Sequence, residues 1–151
     1  MESKIEVRGL KEIMDRFGRL PQEVSKYLRL NMQASLNVLH ENVQPYPAPP
    51  PDSTYRRTGT LGRTLGSSES GGESGKPQIF EVKQMGHEVT GRFGTKLEYA
   101  PYVIGEGEQA EVHKGRWWTV KTIAEKAKAK IDRIWQAVGD ALARYLEKGR
   151  A

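Results

Sequence analysis

The chain has 151 residues, of which 36% are hydrophobic and none is cysteine, so it can bury one ordinary core but has no disulfide framework or thiolate metal site. Its 24 Lys and Arg residues exceed its 19 Asp and Glu residues, and this formal net charge of +5 is spread along the chain, which favours a solvated basic surface over a concentrated nucleic-acid face. We expect a single domain over residues 1–151 in a cytoplasm-like compartment, because neither a signal peptide nor an apolar run of roughly 20 residues occurs.

The N-terminal third predicts a strand followed by helices. Residues 3–8 alternate polar with apolar, which is typical of a short strand, and we expect this strand at a sheet edge. Helical spacing then runs over residues 10–17. Pro21 begins a longer helix of about six turns. Its apolar stripe predicts these core residues, with Tyr27 beside them: Val24, Leu28, Met32, Leu36, Leu39 and Val43.

Residues 44–77 interrupt this pattern with six prolines and six glycines. The proline-rich part, residues 45–51, favours a stiff extended path, whereas the Gly- and Ser-rich part that follows Leu65 favours a flexible tether. We therefore expect a long mobile arm. Within it, Thr58 is expected to cap a short helix that buries Leu61 and Leu65 and so anchors the arm to the body.

The second half predicts a hairpin and a further extended segment. Residues 78–84 and 88–95 alternate in hydrophobicity on either side of a turn at 85–87, which predicts a β-hairpin. Residues 99–103 favour another extended segment. The two glycines in residues 105–107 then predict a turn, because glycine adopts backbone angles that other residues resist.

The last element is a long helix. Thr119 is expected to cap its N-terminus, and Gly149 is expected to end it. The apolar positions in helical register are Val120, Ile123, Ala127, Ile131, Ile134, Trp135, Val138, Leu142 and Tyr145. Together these elements predict an α+β fold, in which a small antiparallel sheet packs against a long N-terminal helix and a long C-terminal helix.

The sequence nominates no catalytic residue, no cofactor and no metal. The three histidines are separated along the chain: His40, His87 and His113. None has the i, i+4 spacing of helical metal sites. Residues 71–77 hold glycines and a lysine like a phosphate loop, but Pro77 stands where that loop needs Ser or Thr.

Two short motifs frame the predicted hairpin. Arg-Thr-Gly-Thr-Leu at 57–61 precedes it, and Tyr-Ala-Pro-Tyr-Val-Ile-Gly-Glu-Gly at 99–107 follows it. In this order, between two amphipathic helices, the motifs resemble the tail-completion, or neck, proteins that join heads to tails in long-tailed bacteriophages. The residues that carry the resemblance are Thr58, Gly59, Leu61, Tyr99, Ala100, Tyr102, Gly105 and Gly107.

The resemblance implies a structural virion protein and not an enzyme. Members form a ring, usually hexameric, around the DNA channel of the neck, between the head connector and the tail terminator or tail-tube proteins. This implies homo-oligomerisation, assembly in the bacterial host cytoplasm, DNA contact only during passage, and no membrane partner. Because aromatic residues and arginines are enriched at interface hot spots, we predict these contacts with a neighbour or connector: Tyr46, Tyr55, Arg56, Arg57, Arg63 and Trp118.

Some alternatives stay open. Of the adjacent residues Trp117 and Trp118, we expect one to face the core and the other a partner or the opposite helix. A basic nucleic-acid-binding module is a second function. The last helix carries a lysine run that we interpret as a solvated face, with an acidic partner as the alternative: Lys121, Lys126, Lys128 and Lys130. A small hydrolase with acids in the loop at 105–111 is a third.

Overall fold

A computed structural model describes residues 3–8, 22–54, 58–67, 77–86 and 88–148. Its elements, in chain order, are β1 (Ser3–Arg8), α1 (Gln22–Glu41), α2 (Thr60–Thr64), β2 (Ile79–Met85), β3 (Glu88–Thr95), α3 (Ala100–Ile104) and α4 (Val120–Lys148). The predicted α+β fold is confirmed: a three-stranded antiparallel sheet packs against a long helix, α1, and a long C-terminal helix, α4. The predicted helix over residues 10–17 lies outside the described residues.

The sheet has the strand order β1-β3-β2, so β1 lies at an edge as predicted, and β2 and β3 form the predicted hairpin. On the inner face, Phe93 of β3 lies opposite Ile5 and Phe80 of the two neighbouring strands. On the outer face, Arg92 bridges the flanking strands through Glu6 Oε2 at 3.4 Å and Glu81 Oε1 at 3.7 Å. Apolar residues thus face the helices, and charged residues cover the other side.

Helix α1 lies across the inner face of the sheet with the predicted stripe buried, which confirms these core residues: Val24, Leu28, Met32, Leu36 and Leu39. Gly91 of β3 permits the close approach of α1, because a Cβ there would lie 2.7 Å from Met32 Sδ and 2.9 Å from Leu36 Cδ2. Two details of the stripe differ from the prediction. Val43 lies beyond the helix end, and Tyr27 is 37% exposed because it projects away from the stripe.

Helix α4 runs antiparallel to α1. Lys130 Nζ contacts Glu41 Oε2 at 3.0 Å, and Trp135 Nε1 donates to Ser35 Oγ at 3.0 Å. The later residue of α4 thus contacts the earlier residue of α1, as in an antiparallel pair. The predicted N-cap is confirmed, since the Thr122 N–H donates to Thr119 Oγ1 at 3.4 Å. The last described helical residue is Lys148.

Residues 99–103 are not extended as predicted, because Ala100–Ile104 forms the short helix α3. Pro101 sits in its first turn, where the missing N–H loses no helical hydrogen bond. Ala100, Pro101 and Ile104 are buried together, as one face of a helix requires and an alternating strand does not allow. The predicted turn that follows is present, with Gly107 at φ 81°, and the Gly105 N–H donates to Pro101 O at 2.9 Å.

Candidate functional site

The two sequence motifs meet at one cleft of about 530 Å³ on the surface of the protein. Four segments form it: the arm residues 46–53, residues 58–61 at the start of α2, residues 99–103 at the start of α3, and residues 112–117 of the loop before α4. We call it the aromatic cleft, after its rings: Tyr46, Tyr99, Tyr102, His113 and Trp117. The two motifs are about 40 residues apart along the chain, and no local sequence pattern predicts that they meet.

Helix α2 forms the floor of the aromatic cleft, and its N-terminus is capped by a side chain that is distant in the sequence. The predicted cap, Thr58, is wrong: the N-cap is Gly59, which has a φ of 72° and no side chain. The Tyr46 hydroxyl instead accepts a hydrogen bond from the Gly62 N–H at 2.6 Å. Tyr46 therefore satisfies one of the N–H groups that a helix start leaves without an intrahelical partner.

The floor is fastened to the sheet and to α1. Thr95 Oγ1, at the end of β3, lies 2.8 Å from Thr64 Oγ1 and 3.1 Å from Gln78 Oε1. His40 Nε2 of α1 lies 2.8 Å from Gly66 O, so this histidine has the structural role that its isolation in the sequence favours. As predicted, α2 also buries its two leucines, Leu61 and Leu65. The cleft floor is consequently tied to β3, to α1 and to the hydrophobic core.

Stacked aromatic rings form the wall of the cleft on the α4 side. The Trp117 ring centroid lies 5.1 Å from that of Tyr46, 6.1 Å from that of His113, and 6.1 Å from that of Trp118. Both tryptophans are half-buried and pack against the same hydrophobic cluster. The prediction that only one of them faces the core is therefore wrong. Adjacent residues point to the same cluster because the chain turns irregularly between Gly115 and α4.

The described part of the arm folds back along this wall. The Trp118 indole N–H donates to Pro45 O at 3.0 Å, and an Arg116 guanidinium N–H donates to Ala48 O at 3.3 Å. Lys126 Nζ donates to Gln44 Oε1 at 2.8 Å. The segment ends in a turn in which the Ser53 N–H donates to Pro50 O at 3.2 Å.

The mouth of the aromatic cleft exposes large apolar side chains. Tyr99 is 45% exposed, Tyr102 is 59% exposed and Val112 is 64% exposed. Exposed aromatic and aliphatic groups at one depression are typical of an interaction site. Gln109 supports this mouth, since its Nε2 donates to Val103 O at 2.8 Å and lies 3.2 Å from Trp117 O.

Sequence reasoning placed some of these residues and missed others. Tyr46 and Trp118, predicted as partner contacts, lie in and beside the cleft, where each also makes intramolecular contacts. Arg63 is exposed, and its guanidinium donates to Thr58 O at 2.9 Å. Tyr55, Arg56, Arg57 and His87 lie outside the described residues. Val112, His113 and Arg116 were missed, because an irregular loop carries no periodic signal that assigns its side chains to a site.

The lysine run on α4 is an exposed face with local partners. Lys121 Nζ lies 3.4 Å from Glu106 Oε1, and Lys128 pairs with Asp132 one turn along the helix. Lys126 and Lys130 reach Gln44 and Glu41 respectively. These contacts favour the interpretation as a solvated face, since the positive charges are largely offset by neighbouring groups.

The described residues hold no group of three or more His, Asp or Glu side chains that could bind a metal ion. Within the same ranges, no helix is long and apolar enough to cross a membrane. Comparisons with models of protein families, with curated proteins and with solved structures found no match for this chain.

Proposed function

We propose that the protein is a structural component of the phage neck that forms a ring, most simply hexameric, between the head connector and the tail. The observation that carries the proposal is the meeting of the two neck-type motifs at one exposed aromatic cleft. The motif residues Gly59, Leu61, Tyr99 and Tyr102 all line it. Fold-maintaining turns alone would also account for these residues, and the shared exposed surface is what favours a contact role in addition.

The side-chain chemistry of the cleft suits an assembly interface. Tyrosine, tryptophan, proline and valine dominate its lining, and the ionisable groups there are His113 and Arg116 besides the tyrosines. Aromatic residues and arginine are enriched at the hot spots of protein interfaces. A ring also requires heterologous contacts, in which one patch meets a different patch on the neighbour. The cleft, with the arm segment that lines it, offers one such patch.

The proposal is tested in the phage or prophage that carries the gene. Deleting the gene is expected to leave filled heads and free tails that do not join, as seen by negative-stain electron microscopy. Normal particles from the deletion would overturn the proposal. The purified protein, alone or with its connector, is expected to form closed rings.

A matched pair of surface variants tests the role of the cleft itself. Tyr102→Ser with Val112→Ser changes two exposed cleft residues and is expected to block head–tail joining while the protein stays folded. Leu30→Ser changes a side chain that is 55% exposed on α1, away from the cleft, and is expected to join normally. Equal joining by both variants would assign assembly to a different surface.

The nucleic-acid alternative is tested by filter binding with a salt titration. Several phosphate contacts would make the affinity fall steeply with salt. Because the α4 lysines have partners within the chain, we expect weak binding without such a steep dependence. A steep dependence would favour the binding module over the neck protein.

A further inference from the structure

We propose that, in the assembled ring, the proline segment (residues 45–51) of each copy leaves its own aromatic cleft and lies in the cleft of the neighbouring copy. The occupant of the cleft is then a second copy of this chain. The inference rests on the proposed function only in requiring an oligomer of adjacent copies.

Within one copy, this segment forms one wall of the cleft and is bonded to the other walls. The Trp118 indole donates to Pro45 O and the Arg116 guanidinium donates to Ala48 O, while the Tyr46 ring lies 5.1 Å from the Trp117 ring. Aromatic grooves that donate hydrogen bonds to backbone carbonyls are a recurring way of binding extended proline-rich peptides. Because every copy has the same sequence, a neighbour can supply the same segment to the same groups.

The segment lies at the surface and is not deeply buried. Residues 48–51 are exposed, and the cleft beside them keeps a volume of about 530 Å³. Tyr99 and Tyr102 remain 45% and 59% exposed at its mouth. Because residues 48–51 are exposed, their release from their own copy uncovers little buried surface.

The end of the segment is bent in a strained turn. Asp52 has a φ of 64°, and it follows Pro51 in the turn closed by the Ser53 N–H and Pro50 O. A positive φ at this turn position is normally met by glycine, and an aspartate there is held at a cost in free energy. Straightening the segment towards a neighbour removes this strain, and strained hinges favour the exchange of segments between copies.

The length of the arm allows the exchange. Residues 42–59 connect the end of α1 to the start of α2. As an out-and-back loop at ~3.1 Å per residue, they could project roughly 25 Å from the body, which is enough to cross an interface. The prolines already restrict the backbone, so little conformational entropy is lost when the extended segment docks.

Cross-linking between introduced cysteines tests the exchange, because the chain has none of its own. Ala48→Cys is combined with Arg116→Cys, and a short bismaleimide spans the gap left by the arginine side chain. In the free monomer the bridge is expected to form within one chain. In rings we expect a ladder of covalently joined copies on a denaturing gel.

Two further cysteine pairs provide a repeat of the test and a control. Ala48→Cys with Val112→Cys repeats the test with an exposed cleft residue, in case the loss of Arg116 disturbs the cleft. Glu41→Cys with Lys130→Cys joins α1 to α4 inside one copy, where the side chains meet at 3.0 Å. This control pair is expected to give internal bridges and no ladder, in rings as in monomers.

Different cross-linking results would overturn the exchange of segments and the proposed neck function. Rings in which residue 48 bridges only within its own chain would overturn the exchange and leave the neck function standing. Rings in which the cleft cysteine couples to another virion protein would assign the cleft to that protein and also overturn the exchange. Failure to form rings under any condition would overturn both.

Discussion

Tyr46 joins the arm to the floor of the aromatic cleft. Its hydroxyl accepts the Gly62 N–H at 2.6 Å, and its ring packs beside Trp117. The sequence indicated a partner contact at this position because tyrosines are common at interfaces. The structure adds a capping role that no local pattern predicts, since the two residues are 16 positions apart.

Tyr46→Phe is expected to lower the free energy of unfolding by about 1 kcal/mol, because the ring stays but the Gly62 N–H loses its acceptor. Urea unfolding followed by circular dichroism measures the change. Tyr102→Phe is the matched control: its side chain is 59% exposed, and we expect a change within about 0.5 kcal/mol. Equal effects of the two variants would show that the Tyr46 hydroxyl does not stabilise α2.

Glycine is required at some positions by the local turn and at others by a tertiary contact. Gly107 has a positive φ angle, as the predicted turn at 105–107 suggested, whereas Gly105 has a φ of -73°. Gly59 also has a positive φ angle, which the sequence did not predict. Gly91 is different, because its need for glycine comes from the Met32 and Leu36 side chains of α1. No reading of the strand alone can identify such a close approach.

Among the elements, α4 was the most predictable. Its core residues Ile123, Ala127, Trp135, Val138 and Leu142 are buried as expected. The last position of the predicted register, Tyr145, is 47% exposed. Its cap is also local, because Thr119 and Thr122 lie in the first turn and each side-chain oxygen faces the backbone N–H of the other. Long periodic segments and local caps are the features that a sequence encodes most directly.

Thr119→Ala is expected to destabilise the protein by about 1 kcal/mol, since the Thr122 N–H loses its side-chain acceptor at the helix start. Thr119→Asp is expected to retain the wild-type stability, because the carboxylate accepts the same bond and favours the positive end of the helix dipole. Thermal unfolding of both variants measures these changes in stability. A loss of equal size in Thr119→Asp would contradict the capping role.

The short elements were less predictable than the long ones. The segment at 99–103 is too short for its residue pattern to separate a strand from a single helical turn. In the described sheet, of order β1-β3-β2, this segment is not a strand. Helix α3 satisfies its own backbone through the Gly105 N–H and Pro101 O.

At the scale of the whole molecule, the packing of α1 against α4 holds the N- and C-terminal parts together. The Trp135 indole N–H donates to Ser35 Oγ at 3.0 Å across 100 residues of sequence. Ser35 is fully buried and Trp135 is 8% exposed. This is a polar contact inside the core, where an unsatisfied N–H is costly.

Ser35→Ala is expected to reduce the free energy of unfolding by about 1–3 kcal/mol, because the buried indole N–H loses its acceptor. The double variant Ser35→Ala with Trp135→Phe is expected to cost less than the sum of the two single variants, since the second change removes the orphaned donor. Urea unfolding of the four proteins in this cycle gives the coupling. Strict additivity would show that the hydrogen bond contributes no coupling energy.

The sequence by itself determined the α+β class, the strand at the sheet edge, the hairpin, the two long helices and the cap at Thr119, because these follow from periodicity and local hydrogen bonds. Only the tertiary structure decided the aromatic cleft. Its floor depends on a tyrosine capping a distant helix, and its walls come from segments with no regular period. Which distant segments meet is fixed by packing of the whole chain, and packing leaves no short-range pattern in the sequence.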